Sequence, residues 1–136
     1  MTDNTIKKLC LQAEKEIETL SVTKVLAIYN KDNVKLIDVR DIRELWINGT
    51  IPGSFHAPRG MLEFWIDEES PYHRKEFSLN KKYIFFCAAG MRSALAAKTA
   101  KDMGLKSLAH IKGGYEAWIK ANGPTKEVYP NFDKYK

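Results

Sequence analysis

The apolar residues of this chain follow two rhythms that alternate along its length. Ile6, Leu9, Cys10, Ala13, Ile17 and Leu20 recur at helical spacing, which predicts an amphipathic helix over residues 4–19. Ser21 can cap a second helix carrying Val22, Val25, Leu26 and Tyr29 and ending near Asn30. The run VKLIDV, 34–39, then reads as a buried strand. Asp41 can cap a short helix through Ile42, Leu45 and Trp46 that closes at Asn48-Gly49. SFHA, 54–57, lies between Pro/Gly turns and reads as a short strand, MLEFWI as a helical turn, and ESPYHRKEFSLNKK as a polar surface connection.

The second half repeats the alternation. YIFF, 83–86, is apolar on both faces, as a central parallel strand requires. A helix is expected over 93–103, with small alanines at 94, 96, 97 and 100 that permit close approach to a sheet, and Gly104 can end it. SLAHI, 107–111, reads as another strand. Gly113-Gly114 turns into a last helix, YEAWIKAN, stopped by Gly123-Pro124. Strands alternating with helices predict an α/β class with a mostly parallel central sheet flanked by helices. The reading divides one domain, 1–136, into a helical extension (1–33), a core (34–124) and a tail (125–136) without clear pattern.

Composition removes several classes. At 136 residues the chain suits a single domain with a real core. No apolar run is long enough to span a membrane, and MTDNTIKKLCLQAEKEIETL lacks the apolar stretch of a secretory signal, so a cytoplasmic protein is expected. The net charge of +5 comes from scattered Lys and Arg with acids among them, which does not make a nucleic-acid surface. With two cysteines, Cys10 and Cys87, a disulfide scaffold is not expected. Histidines 56, 73 and 110 lack metal-ligand spacing, and no cofactor is called for.

The chemistry concentrates in CAAGMRS, 87–93. Cys87 ends a strand, and in an open α/β sheet ligands bind beyond such ends. Gly90 can take positive φ, so the short loop can turn successive N–H groups inward as an anion nest. The following helix adds its positive end, and Arg92 a charge or a structural fork. Each favours the thiolate, the nucleophilic form of cysteine, over a buried and inert thiol.

CAAGMRS resembles the active-site loop of the rhodanese family. LIDVRDIRELWINGTIPGSFHAPRG, 36–60, resembles that family's upstream signature, and KGGYEAWIKANGP, 112–124, its closing segment. The three lie in the family's order over residues 34–124, and the intervening sequence looks most like single-domain, polysulfide-type sulfurtransferases. The resemblance implies a rhodanese-like fold and a persulfide mechanism. Cys87 would take a sulfane sulfur from polysulfide or thiosulfate and pass it to cyanide, a dithiol or a protein thiol. The N–H groups of Ala88, Ala89, Gly90, Met91, Arg92 and Ser93 would hold the persulfide's charge. Two departures stand out. Thr50 replaces the histidine usual in the upstream signature, which touches packing more than chemistry. Ala88 and Ala89 stand where thiosulfate-using members often carry a basic residue, which favours polysulfide.

Asp38 and Arg40 match the family's Asp-Val-Arg; with Glu44 they read as structural hydrogen bonds and ion pairs, and a supporting role for Asp38 near the loop is the alternative. Arg59 either sits at the site mouth and attracts anions or packs as an ordinary surface residue. His56 reads as structural, since transfer through a thiolate needs no general base. Trp46, Trp65 and Trp118 read as packing, and Cys10 as core rather than a resolving thiol. A cysteine phosphatase or arsenate reductase is the rival enzyme. Those proteins place five residues between Cys and Arg and a histidine before the Cys, whereas here four residues intervene and Phe86 precedes. A non-catalytic binding module is the third reading.

Overall fold

The computed structural model describes residues 5–130. Its elements run α1 (Ile6–Glu16), β1 (Glu18–Leu20), α2 (Val22–Ile28), β2 (Val34–Asp38), α3 (Ile42–Asn48), β3 (Phe55–His56), α4 (Leu62–Ile66), β4 (Lys82–Phe86), α5 (Met91–Asp102), β5 (Leu108–Ile111) and α6 (Gly114–Lys120). Short 3-10 turns precede α4 (Arg59–Met61) and β4 (Lys75–Ser78). The five strands pair in the order β1-β5-β4-β2-β3, and every pairing is parallel.

The sheet divides the core in two. On one face Ile37, Tyr83 and Phe85 meet Leu62 and Ile66 of α4 and Ala96, Ala97 and Ala100 of α5. On the other, Leu36, Ile84 and Phe86 meet Val22 and Val25 of α2 and Tyr115 and Trp118 of α6. β4 lies between β2 and β5 and is covered on both faces, which is why its residues 83–86 are apolar without alternation. The alanine face of α5 is fully buried, so that helix can seat close to the strands.

The structure departs from the sequence reading at the sheet edge, the loop and the core. Leu20 is not the end of the first helical stripe. α1 stops at Glu16, Ile17 is extended, and Glu18–Leu20 becomes the edge strand paired with Ala109–Ile111. Leu20 fits a helical stripe and an inward strand position equally well, and the vacant edge of β5 decides between them. α5 begins at Met91, two residues earlier than expected, because Gly90 turns the chain at φ +109 directly into the helix. The connection before β4 is not all surface, since Phe77 is buried and packs edge-on against Phe55. Residue 4 of the first expected helix and residues 131–136 of the tail lie outside the described residues. Within the described part of the tail, Lys126 forms an antiparallel bridge with Thr50. Among the described residues no helix is long and apolar enough to cross a membrane.

Candidate active site

Because all strands are parallel, β2, β3, β4 and β5 deliver their carboxyl ends to one edge of the sheet. Cys87 follows β4 there and is 1% exposed. Its Sγ accepts the N–H of Gly90 at 3.2 Å and that of Ser93 at 3.3 Å. The thiol in turn lies 3.6 Å from Ser93 Oγ. Of the loop N–H groups 88–93 expected to turn inward, those of Gly90 and Ser93 meet the sulfur itself, with the first turn of α5 behind them. Ala89 and Met91 are exposed and form the outer lip of the loop.

The loop is held from the opposite side by α6. Tyr115 N–H donates to the Cys87 carbonyl at 2.8 Å and Glu116 N–H to that of Ala88 at 3.0 Å. This approach requires Gly114. Its φ is +60, and a Cβ there would stand 2.5 Å from the Cys87 oxygen and 2.7 Å from that of Ala88.

Arg92 spends its guanidinium on a carboxylate. Its guanidinium grips Glu44 through two bonds, at 2.6 and 3.1 Å. Hydrogen bonding to Arg92 holds the Glu44 carboxyl below its ordinary range, and the same bond raises Arg92, with Cys87 a lesser electrostatic contributor. Glu44 also completes the capping box of α3 with Asp41. Arg92 thus ties the loop to α3.

Asp38 and Arg40 form a separate network at the end of β2. Arg40 donates to both Asp38 oxygens, at 3.0 and 2.8 Å, and to the Gly49 carbonyl at 2.7 Å. Its guanidinium stacks over Tyr115 at 4.3 Å. Thr50 Oγ1 donates to Asp38 at 2.7 Å, so the residue that replaces the usual histidine serves this network. His56 bonds the Arg40 carbonyl through Nε2 at 2.7 Å. Arg59 is taken up by Glu63 at 2.8 Å and Thr99 at 3.3 Å. None of these side chains hydrogen-bonds Cys87. Cys10 is buried in α1, and its thiol contacts the Met91 carbonyl at 3.6 Å.

One participant escaped the sequence reading, and a second was expected with other partners. His110, in the otherwise apolar β5, sits 3.0 Å from Ser93 Oγ through Nδ1, and Glu44 is the partner of Arg92. A histidine inside a buried-strand pattern was the available signal for the first. The second is read from the sequence as an ion-pair residue beside Asp38 and Arg40, and its partner is instead Arg92. Among the described residues no cluster of His, Cys, Asp and Glu could hold a metal.

Comparison with known proteins places this geometry. The model of the rhodanese-like domain matches residues 21–121. A solved Rhodopseudomonas palustris protein, described as of unknown function and a possible tyrosine phosphatase, is 49% identical with a TM-score of 0.89, covering 93% of this chain and 97% of its own. The polysulfide-sulfur transferase homodimer of Wolinella succinogenes is 27% identical with a TM-score of 0.68, covering 90% of this chain and 87% of its own. Among curated proteins, the mouse thiosulfate sulfurtransferase/rhodanese-like domain-containing protein 3 is 32% identical over 98 residues, which are 68% of this chain and 62% of the mouse protein.

Proposed function

This chain belongs to the rhodanese-like domain family, and from that premise we propose that it is a sulfurtransferase carrying a sulfane sulfur as a persulfide on Cys87. The observation that carries the reading is the sulfur itself, buried at the end of β4 and held by the N–H groups of Gly90 and Ser93. In the first half-reaction the Cys87 thiolate attacks a sulfane sulfur of the donor. The donor's S–S bond breaks, its remainder leaves with the bonding electron pair, and Cys87 becomes a persulfide anion. In the second, an acceptor nucleophile takes the outer sulfur and the Cys87 thiolate is the leaving group. The N–H groups of Ala88, Ala89, Met91 and Arg92 are the donors assigned to the outer sulfur, because those of Gly90 and Ser93 are occupied by the inner one.

Polysulfide is the donor class the loop favours. Ala88 and Ala89 bring no charge, and the one loop cation, Arg92, is tied to Glu44. A soft, chain-like donor needs less fixed positive charge than compact, doubly charged thiosulfate. The likeness to the Wolinella polysulfide-sulfur transferase supports the same choice. Acceptors are a small thiol, cyanide or a protein thiol. Asp38 and Arg40 hold the adjacent strand end in shape, and Arg59, engaged by Glu63 and Thr99, is assigned no direct part in the transfer. The two cysteines are free thiols, which suits a reducing, cytoplasmic compartment.

A phosphatase is the second reading, favoured by the description of the Rhodopseudomonas neighbour. Four residues rather than five separate Cys87 from Arg92, and the guanidinium that would clasp a phosphoryl group is bound to a carboxylate. Intact mass after exposure to polysulfide, thiosulfate or buffer decides between them. Sulfur mass on Cys87, removed by cyanide, with no release of phosphate from aryl phosphates, is the expected result. Phosphate release without sulfur loading would overturn it.

A further inference from the structure

The Cys87 thiol heads a line of polar groups that leads away from the loop mouth. Its Sγ lies 3.6 Å from Ser93 Oγ, that hydroxyl 3.0 Å from His110 Nδ1, and His110 Nε2 3.4 Å from a Glu14 carboxylate oxygen. Cys87, Ser93 and His110 are each no more than 1% exposed, while the Glu14 side chain, 38% exposed, reaches solvent. The line crosses from β4 through α5 and β5 to α1. His110 Nε2 is buried without a hydrogen bond, the Glu14 contact being close but poorly aligned. A buried imidazole with one nitrogen bonded toward the nucleophile and the other facing a carboxylate is costly as packing alone.

We infer that His110 is a positioning residue that takes up the Cys87 proton through Ser93 and thereby turns the Ser93 hydroxyl toward the sulfur. The inference rests on Cys87 being the sulfur-carrying nucleophile. With the imidazole neutral, Nδ1 accepts the Ser93 hydroxyl, and Ser93 Oγ accepts the Cys87 S–H. That arrangement favours the thiol. When the S–H proton passes to Ser93 and the hydroxyl proton to Nδ1, one proton has moved from Cys87 to His110 and no electrons have changed hands. The imidazolium now donates to Ser93, and the Ser93 hydroxyl donates to the thiolate. The sulfur then holds three donors, and the positive ring lies between the thiolate and Glu14.

The surroundings suit an imidazole that waits neutral. Burial pushes His110 below its ordinary value, and the Glu14 charge pulls the other way. α1 contributes Glu14 and Cys10, whose thiol Glu14 raises after burial. α5 contributes Ser93, while its Lys98 and Lys101 are held by Glu16, Asp102 and the Glu16 carbonyl. In register with His110 stand Phe85 of β4 and Thr19 of β1, neither of which titrates near neutrality.

The test is the pH dependence of iodoacetamide alkylation in the full chain, read on the Cys87 peptide by mass spectrometry so that Cys10 is counted separately. His110→Asn keeps an amide near the Nδ1 position but takes up no proton. Its alkylation midpoint should rise, and its rate at neutral pH should fall by about tenfold. Glu14→Gln separates proton uptake from charge proximity. Loss of a nearby negative charge by itself eases thiolate formation and lowers the midpoint, whereas loss of the imidazolium's counter-ion raises it. A raised midpoint in both variants supports the inference. An unmoved midpoint in His110→Asn, or an unmoved or lowered one in Glu14→Gln, overturns it. If His110→Asn fails to fold, Glu14→Gln decides alone. Polysulfide loading of the wild type is read alongside. Sulfur on Cys87 with unmoved midpoints removes only the role of His110, and no sulfur on Cys87 removes the proposed function with it.

Discussion

Two neighbouring strand ends of this sheet are built on opposite plans. At the end of β2, Asp38, Arg40, Thr50 and His56 satisfy one another, and Asp38 and Arg40 are no more than 1% exposed. At the end of β4, backbone N–H groups do the holding and one side-chain atom, the Cys87 sulfur, is held. Both ends carry segments that resemble the same family, yet only one presents an atom able to react. Side chains that close on each other make structure. A side chain gripped by the main chain stays free to change its bonds.

The sharpest way to break that contrast is to remove each end's central group. Cys87→Ser should abolish polysulfide loading and turnover outright, while its denaturation midpoint moves by no more than about 1 kcal/mol equivalent. Intact mass and urea titration give the two readings, and residual loading would mean the sulfur sits elsewhere. Asp38→Ala should behave the opposite way. It leaves Arg40 buried without its counter-charge, so a loss of about 3–5 kcal/mol is expected by urea titration. Loading per folded molecule should persist, and a dead but stable Asp38→Ala would move that network into the active site.

Gly114→Ala tests whether the main-chain grip itself matters. The added Cβ meets two loop carbonyls at a positive φ, so loading should slow by about tenfold with Cys87 still present. An unaltered rate would show that the loop tolerates displacement. Ala88→Arg should give a smaller, few-fold effect, improving thiosulfate use more than polysulfide use in kcat/KM. Equal gains for both donors would remove the charge argument for donor choice.

The weakest effect is on acid stability, where two groups beside the Cys87 loop part from each other. His110 is pushed down by burial in the folded state, so the unfolded chain binds its proton more readily. Its contribution is therefore full above the unfolded value of 6.5 and is lost as pH falls below it. Glu44 is also lowered, by Arg92, but from 4.5, so its contribution disappears only in stronger acid. Urea midpoints should fall first just below neutrality, and His110→Asn should flatten that step while leaving the later one.

The features that a local pattern encodes were readable in the chain. The unbroken apolar run before Cys87, the loop glycine and the order of the three family-like segments all survive in the structure. What could not be read depends on partners brought from far away. Leu20 becomes a strand residue only because β5 has a free edge. Arg92 reads as a cation for the loop until Glu44 arrives from α3, 48 residues earlier. His110 looked like an isolated histidine without ligand spacing, and it acquires a neighbour in Ser93 only when β5 docks beside β4. The structural reading of Asp38, Arg40 and His56 suits the geometry at β2, where each finds its partner nearby.

The bond from Tyr115 N–H to the Cys87 carbonyl has a consequence for the order in which the protein matures. Parallel pairing already makes the sheet dependent on contacts distant in sequence, and such contacts form late. The loop's shape further depends on α6, which leaves the ribosome after the loop itself. A nascent or partly unfolded chain that lacks α6 therefore exposes Cys87 without this cradle. The cradle is complete only once α6 has docked on the loop, so the proposed sulfur-accepting state comes after that docking.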